Sequence, residues 1–148
     1  MKKLIAPIIV CVMIGLGHST LTAQLQNSQR SVLDGVYTLT QASRGESLVL
    51  ETVRCVNCHG STLRGGTGDT PPLVGPEFIS SWQGFSLNDL ESKVITMPPN
   101  SSEKMKPQDY VDIMSFLLQI NVYPAGEDEL VPNPEVLRQV KIVPPKKP

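Results

Sequence analysis

Cys55 and Cys58 stand three positions apart, and His59 follows the second cysteine directly, with Gly60 after it. Cys-x-x-Cys-His is the spacing for covalent attachment of a c-type haem. Each thiol adds to one vinyl group of the porphyrin, and the histidine, held beneath the ring, ligates the iron. Three other readings compete for these residues. A thioredoxin-like dithiol needs a strand–helix–strand setting, whereas this pair follows a helical pattern and enters a glycine-rich loop. A structural zinc site needs four ligands, more than the cysteines and histidine here supply. A chance match is opposed by the export signal described next, because c-type haem is attached outside the cytoplasm.

Lys2 and Lys3 precede an apolar run over residues 4–16. That run is shorter than the roughly 20 residues that cross a bilayer, and it reads as a signal peptide, not a membrane span. His18-Ser19-Thr20-Leu21-Thr22-Ala23 follows, so cleavage is expected after Ala23 and a periplasmic location is implied. A lipoprotein site at Cys11 is rejected because Val10 is not small and the apolar run continues past it. The mature chain keeps two cysteines and one histidine, and 11 basic against 14 acidic residues give it a net charge of −3. No basic stripe points to nucleic acid. Aromatic residues make up 5% of the chain, against 13 prolines and 11 glycines. Such a loop-rich chain is short of apolar bulk, which a large flat cofactor would supply.

The length of 148 residues fits one domain with extensions. Residues 24–35 read as a polar, exposed lead-in. Thr38 and Gln41 have capping-box spacing, with Tyr37 placed to staple against Ala42. Ala42, Gly45, Val49 and Val53 then form one face of a helix over 39–54. A glycine on that face costs about 1 kcal/mol relative to alanine, and close approach of a second helix would account for it. Residues 60–85 read as loop, a length that needs a job such as wrapping a haem edge. Its glycines lack the lysine and hydroxyl of a phosphate-binding loop. Ser86 and Asp89 open a second helix with Leu87, Leu90 and Val94 inward, ending before Met97-Pro98-Pro99. Pro107 opens the last helix, over 107–120, with a stripe of Tyr110, Ile113, Met114 and Leu117, widened by Phe116 and Ile120. Residues 124–148 read as a proline-rich, extended surface tail. The expected fold is all-α, with three to four helices and long loops around one covalent haem c in a domain over 36–123.

With His18 lost to the signal peptide, a second histidine ligand is excluded, and three methionines remain. Met114 sits in the helical stripe, where methionine is usually core filler. Met105 precedes a helix and suits a staple. Met97 lies in a proline-stiffened turn from which its thioether could point inward, so it ranks first as distal ligand, Met105 second and an open iron third.

In these features the chain resembles the class I mono-haem cytochromes c, and in detail the small periplasmic cytochromes associated with quinoprotein dehydrogenases. The resemblance covers about residues 35–126. It implies that Cys55, Cys58 and His59 carry the haem. It also implies that Pro71-x-Leu73-x-Gly75 is the family loop whose proline carbonyl accepts the histidine N–H and whose leucine packs on the ring. Met97-Pro98-Pro99 matches the distal methionine loop, and residues 112–117 match the C-terminal helix, whose aromatic residue, here Phe116, crosses helix one at its glycine, here Gly45. Trp82 resembles an aromatic near the haem edge, with plain packing an equal reading. One departure stands out: Gly45 precedes Cys55 by ten residues, where the family has about eight, so two extra residues must bulge between helix and haem.

The function so implied is single-electron transfer by a non-enzymatic carrier whose partners are redox proteins: a quinoprotein or other periplasmic dehydrogenase, and a terminal oxidase or further cytochrome. The alternative is a permanently bound haem subunit of an oxidoreductase complex, with the tail as its docking arm. A haem gas sensor with an open iron ranks third.

Overall fold

The computed structural model describes residues 29–99, 101 and 104–145. The expected signal peptide, with His18 and Cys11, lies outside the described residues. Among those residues the structure is helical, with six α-helices and no strand: α1 Leu39–Ser47, α2 Val56–His59, α3 Pro76–Trp82, α4 Leu87–Val94, α5 Pro107–Ile120 and α6 Pro134–Gln139.

The packing centres on α5. It starts at Pro107, and Asp109 accepts the Lys106 backbone N–H at 3.0 Å in the manner of a capping box. Residues 110–118 are all buried, so this helix is covered on every side. Met114 is wholly inside, as filler. Against α5 lies α1, whose buried face is Gln41, Ala42 and Gly45. A Cβ at Gly45 would overlap the Asp112 carbonyl oxygen and come within 3.0 Å of the Phe116 Cβ. The two helices therefore meet backbone to backbone at the expected glycine.

The chain between Gly45 and Cys55 is not regular helix throughout. The helix over 39–54 is regular only to Ser47 and continues as a wider π-helical turn, Leu48–Thr52. There Val53 N–H reaches back five residues to the Leu48 carbonyl at 2.7 Å, and Cys55 N–H bonds the Val49 carbonyl at 2.8 Å. Arg54, at φ 55°, completes the turn into α2. Such insertions are rare and concentrate near functional sites.

Four sequence expectations need correction. Three to four helices become six, because α2, α3 and α6 are too short for periodicity to reveal. Within the loop expected over 60–85, α3 forms with Pro76 in its first turn and Phe78 buried. The extended tail over 124–148 instead contains α6, capped by Asn133 on the backbone of Glu135 and Val136, and buries Leu130, Leu137, Val140 and Ile142. Its backbone is bonded to Tyr37 from Gly126, to Arg30 and Val32 through Lys141, to Leu87 through Val140 and to Gly84 and Phe85 through Ile142. Proline spacing suggested extension, but the apolar residues between the prolines fill the space beside α4. The lead-in over 24–35 is likewise not wholly exposed: Ser31 and Asp34 cap a 3-10 turn that buries Val32.

One further expectation is half met. Thr38 Oγ1 accepts the Gln41 N–H at 3.1 Å, but the Gln41 side chain does not return to close the box. It is wholly buried, donating to Asp112 Oδ1 at 3.0 Å and to the Leu130 carbonyl at 2.8 Å, and accepting the Leu130 N–H at 2.8 Å. Asp112 also binds Arg44 Nε at 2.7 Å and Gln108 Nε2 at 2.8 Å, and Arg44 continues to Glu129 at 2.8 Å. Burial pushes the Asp112 carboxyl up, but the bonds from Arg44, Gln108 and Gln41 outweigh it and hold it below its ordinary 3.8.

Three outcomes follow from this packing. Gly45→Ala gains about 1 kcal/mol of helix propensity but should lose about 3 kcal/mol to overpacking, lowering the melting temperature; a rise would show that the crossing accepts a Cβ. Deleting residues 127–148 removes four buried apolar side chains, each stabilising by about 1.5–3 kcal/mol, and should leave no cooperative unfolding transition, whereas deleting 144–148 should leave it intact. Asp112 stabilises as its carboxylate, so its contribution is full above the unfolded value near 3.8 and fades as pH falls below it. Asp112→Asn should cost about 2 kcal/mol at pH 7 and flatten the acid limb of urea-unfolding stability; an unchanged acid limb would remove Asp112 from that role.

Candidate functional site

The short helix α2 carries the three residues with chemistry. Cys55 stands at its N-terminal cap, Cys58 on its exposed side and His59 at its end. Neither thiol is in a disulfide. Burial pushes the Cys55 thiol up, which disfavours its thiolate.

His59 is held by its ring. Nδ1 lies 2.7 Å from the Pro71 carbonyl oxygen. A carbonyl only accepts, so Nδ1 carries the hydrogen, and in the neutral imidazole Nε2 holds the lone pair. One nitrogen is fixed by the protein and the other is left as a donor for a metal. This bond also sets the ring plane, as such partners do for metal-ligating histidines.

The glycine-rich stretch after α2 is folded tightly against it. Gly65 N–H bonds the His59 carbonyl at 3.1 Å, and a Cβ at Gly66 would overlap the Cys58 carbonyl. Leu63, buried at φ 56°, accepts the Leu73 N–H on its carbonyl at 2.7 Å and closes the excursion. Leu73 is half-buried and packs on the core. The proline-leucine-glycine segment is thus joined to α2 through His59 and to the loop that follows α2 through Leu63.

Trp82 ends α3, half-buried. Its ring lies 6.4 Å from Phe78 and 6.0 Å, edge-on, from Phe85, within an aromatic trio. Met97 is half-buried just past α4, its N–H bonded to the Val94 carbonyl at 2.9 Å. Met105 packs against the core, and its N–H donates to the Tyr110 hydroxyl at 3.2 Å.

One residue that positions this site was not singled out by its sequence. Asn121, at the end of α5, accepts the Gly75 N–H on Oδ1 at 2.8 Å and donates from Nδ2 to the Leu73 carbonyl at 2.9 Å. An asparagine at a helix C-terminus is a common cap, and nothing in its neighbours announces bonds to a loop nearly fifty residues earlier.

Among the described residues, no three or more His, Cys, Asp or Glu side chains gather as a metal cluster, and no helix is long and apolar enough to cross a membrane. Compared with protein-family models, curated proteins and solved structures, the chain matches none.

Proposed function

We propose that this chain is an exported class I mono-haem cytochrome c that carries single electrons. On this reading it passes them from a periplasmic dehydrogenase, a quinoprotein enzyme by resemblance, to a downstream oxidase or second cytochrome. The observation that supports the reading most is the bond from His59 Nδ1 to the Pro71 carbonyl, 2.7 Å long. It prepares Nε2 as a strong donor at the position where Cys-x-x-Cys-His needs an axial ligand.

The donor set fits haem c. Cys55 and Cys58 are free to form the two thioethers, and His59 and Met97 would ligate the iron. Leu73, Val74, Trp82 and Val94 are half-buried side chains on the core, apolar surface of the kind that a flat ring buries. When bound, the haem supplies a one-electron iron couple, whose potential a thioether ligand raises. The chain's own work is to tether the ring, hold the imidazole and exclude water from most of its edge. With His59 and Met97 holding the iron, the group would exchange electrons with a partner across a small, brief interface.

The reading is tested on mature protein made where haem attachment operates. Its mass should exceed that of the polypeptide by one haem under denaturing conditions, and the Cys55→Ala/Cys58→Ala chain should show no increment. Met97→Ala should lose the thioether–iron absorption band and fall in reduction potential. If Met105→Ala does so instead, the distal ligand moves to Met105. A wild-type chain without covalent haem would sink the proposal.

A further inference from the structure

We infer that Asn121 is the positioning residue for His59, acting through residues 71–75 to set how strongly the imidazole donates to iron. The inference rests on the haem reading above. Asn121 is 2% exposed, and its side chain makes three hydrogen bonds. A cap serving only its own helix would bond within the last turn, and just one of the three does so, from Nδ2 to the Leu117 carbonyl at 2.8 Å. The other two grip the loop on either side of Val74, at the Leu73 carbonyl and the Gly75 N–H.

The grip reaches His59 because little between them can move. Leu73 is fixed at both backbone groups: its N–H on the Leu63 carbonyl, its carbonyl on Asn121. The two residues before it are Pro71 and Pro72, each with φ locked by its ring, and Pro71 is further restricted by the proline that follows. The Pro71 carbonyl therefore has few ways to swing while Leu73 stays in place, and that carbonyl is the partner of His59 Nδ1.

The backbone after Asn121 points the same way. Val122 adopts φ 66° although it is β-branched, and it is 81% exposed. Such a conformation is strained, and burial of the valine offsets none of that strain. The strained turn ends α5 directly after Asn121 and returns Tyr123 N–H to the Leu118 carbonyl at 3.1 Å. Strain of this kind persists where surrounding structure over-determines it, here at the joint holding Asn121 against the loop.

A firmly placed acceptor on Nδ1–H makes Nε2 more basic, which favours ferric iron. Loosening it should raise the reduction potential. The test uses the mature haem-bearing protein with isotope-labelled histidine; His59 is its one histidine once His18 has gone. In the reduced state, Asn121→Ala should speed exchange of the Nδ1–H by about tenfold or more and raise the potential. Asn121→Asp keeps an acceptor for Gly75 and loses both donors; it should move both readouts in the same direction and decides the matter if the alanine variant does not fold. Leu137→Ala in α6 lowers stability away from the loop and should move neither. Exchange and potential unaltered in the Asn121 variants, or altered equally by Leu137→Ala, would overturn the role. A haem-bearing wild type with an Asn121-independent His59 overturns this inference alone, while a wild type without covalent haem overturns the haem reading and this inference together.

Discussion

A Cβ at position 45 would occupy the place of the Asp112 carbonyl oxygen, so α1 and α5 approach until their backbones touch. Close approach limits how far either helix can slide or rotate, because any shift drives backbone into backbone. The adjacent polar contacts exploit that fixed geometry: Asp112 beside the crossing receives Gln41 and Arg44 from α1 and Gln108 from its own helix. Gln41 and Arg44 then extend to Leu130 and Glu129 in the C-terminal segment. One carboxylate thus ties together three parts of the chain distant in sequence. Buried polar groups favour one arrangement over others because each has few places where all its bonds are met.

The site is suspended from the same crossing on two sides. On the α1 side, the π-helical turn after Ser47 and the left-handed Arg54 deliver Cys55 to the start of α2. On the α5 side, Asn121 holds the loop whose Pro71 carbonyl meets His59. The thiols and the imidazole are therefore referenced to one rigid pair of helices, although α2 is itself only four residues long. A helix that short has no stability of its own, and its placement comes from its flanks.

What the sequence made legible was what local physics decides. The span of α5 over Pro107–Ile120, its buried stripe and the Ser86–Asp89 box follow from proline placement, apolar spacing and capping chemistry, which act within a few residues. So does the spacing of Cys55, Cys58 and His59. The misses share a different cause. Gln41 has the residue type and spacing of a capping box, but a partner 89 positions away claims its side chain. Val32 and Leu137 sit in polar or proline-rich stretches whose average character says surface, while each fills a core position set by contacts made elsewhere. Asn121 is the extreme case, since its neighbours give no hint of the loop it binds.

The C-terminal segment alters how partners can be imagined. A tail free to dock elsewhere must leave the domain intact when it lifts, and this one cannot. Lifting it would strip Gln41 of both Leu130 bonds and expose Leu137, Val140 and Ile142 together. Residues 130–142 belong to the body of the protein, so on the carrier reading a partner would meet surface that remains after they are packed. Phe85, 52% exposed and edge-on to Trp82, lies on such surface, beside the backbone contact that Ile142 makes. The segment that looked like a docking arm instead helps to hold that aromatic group in place.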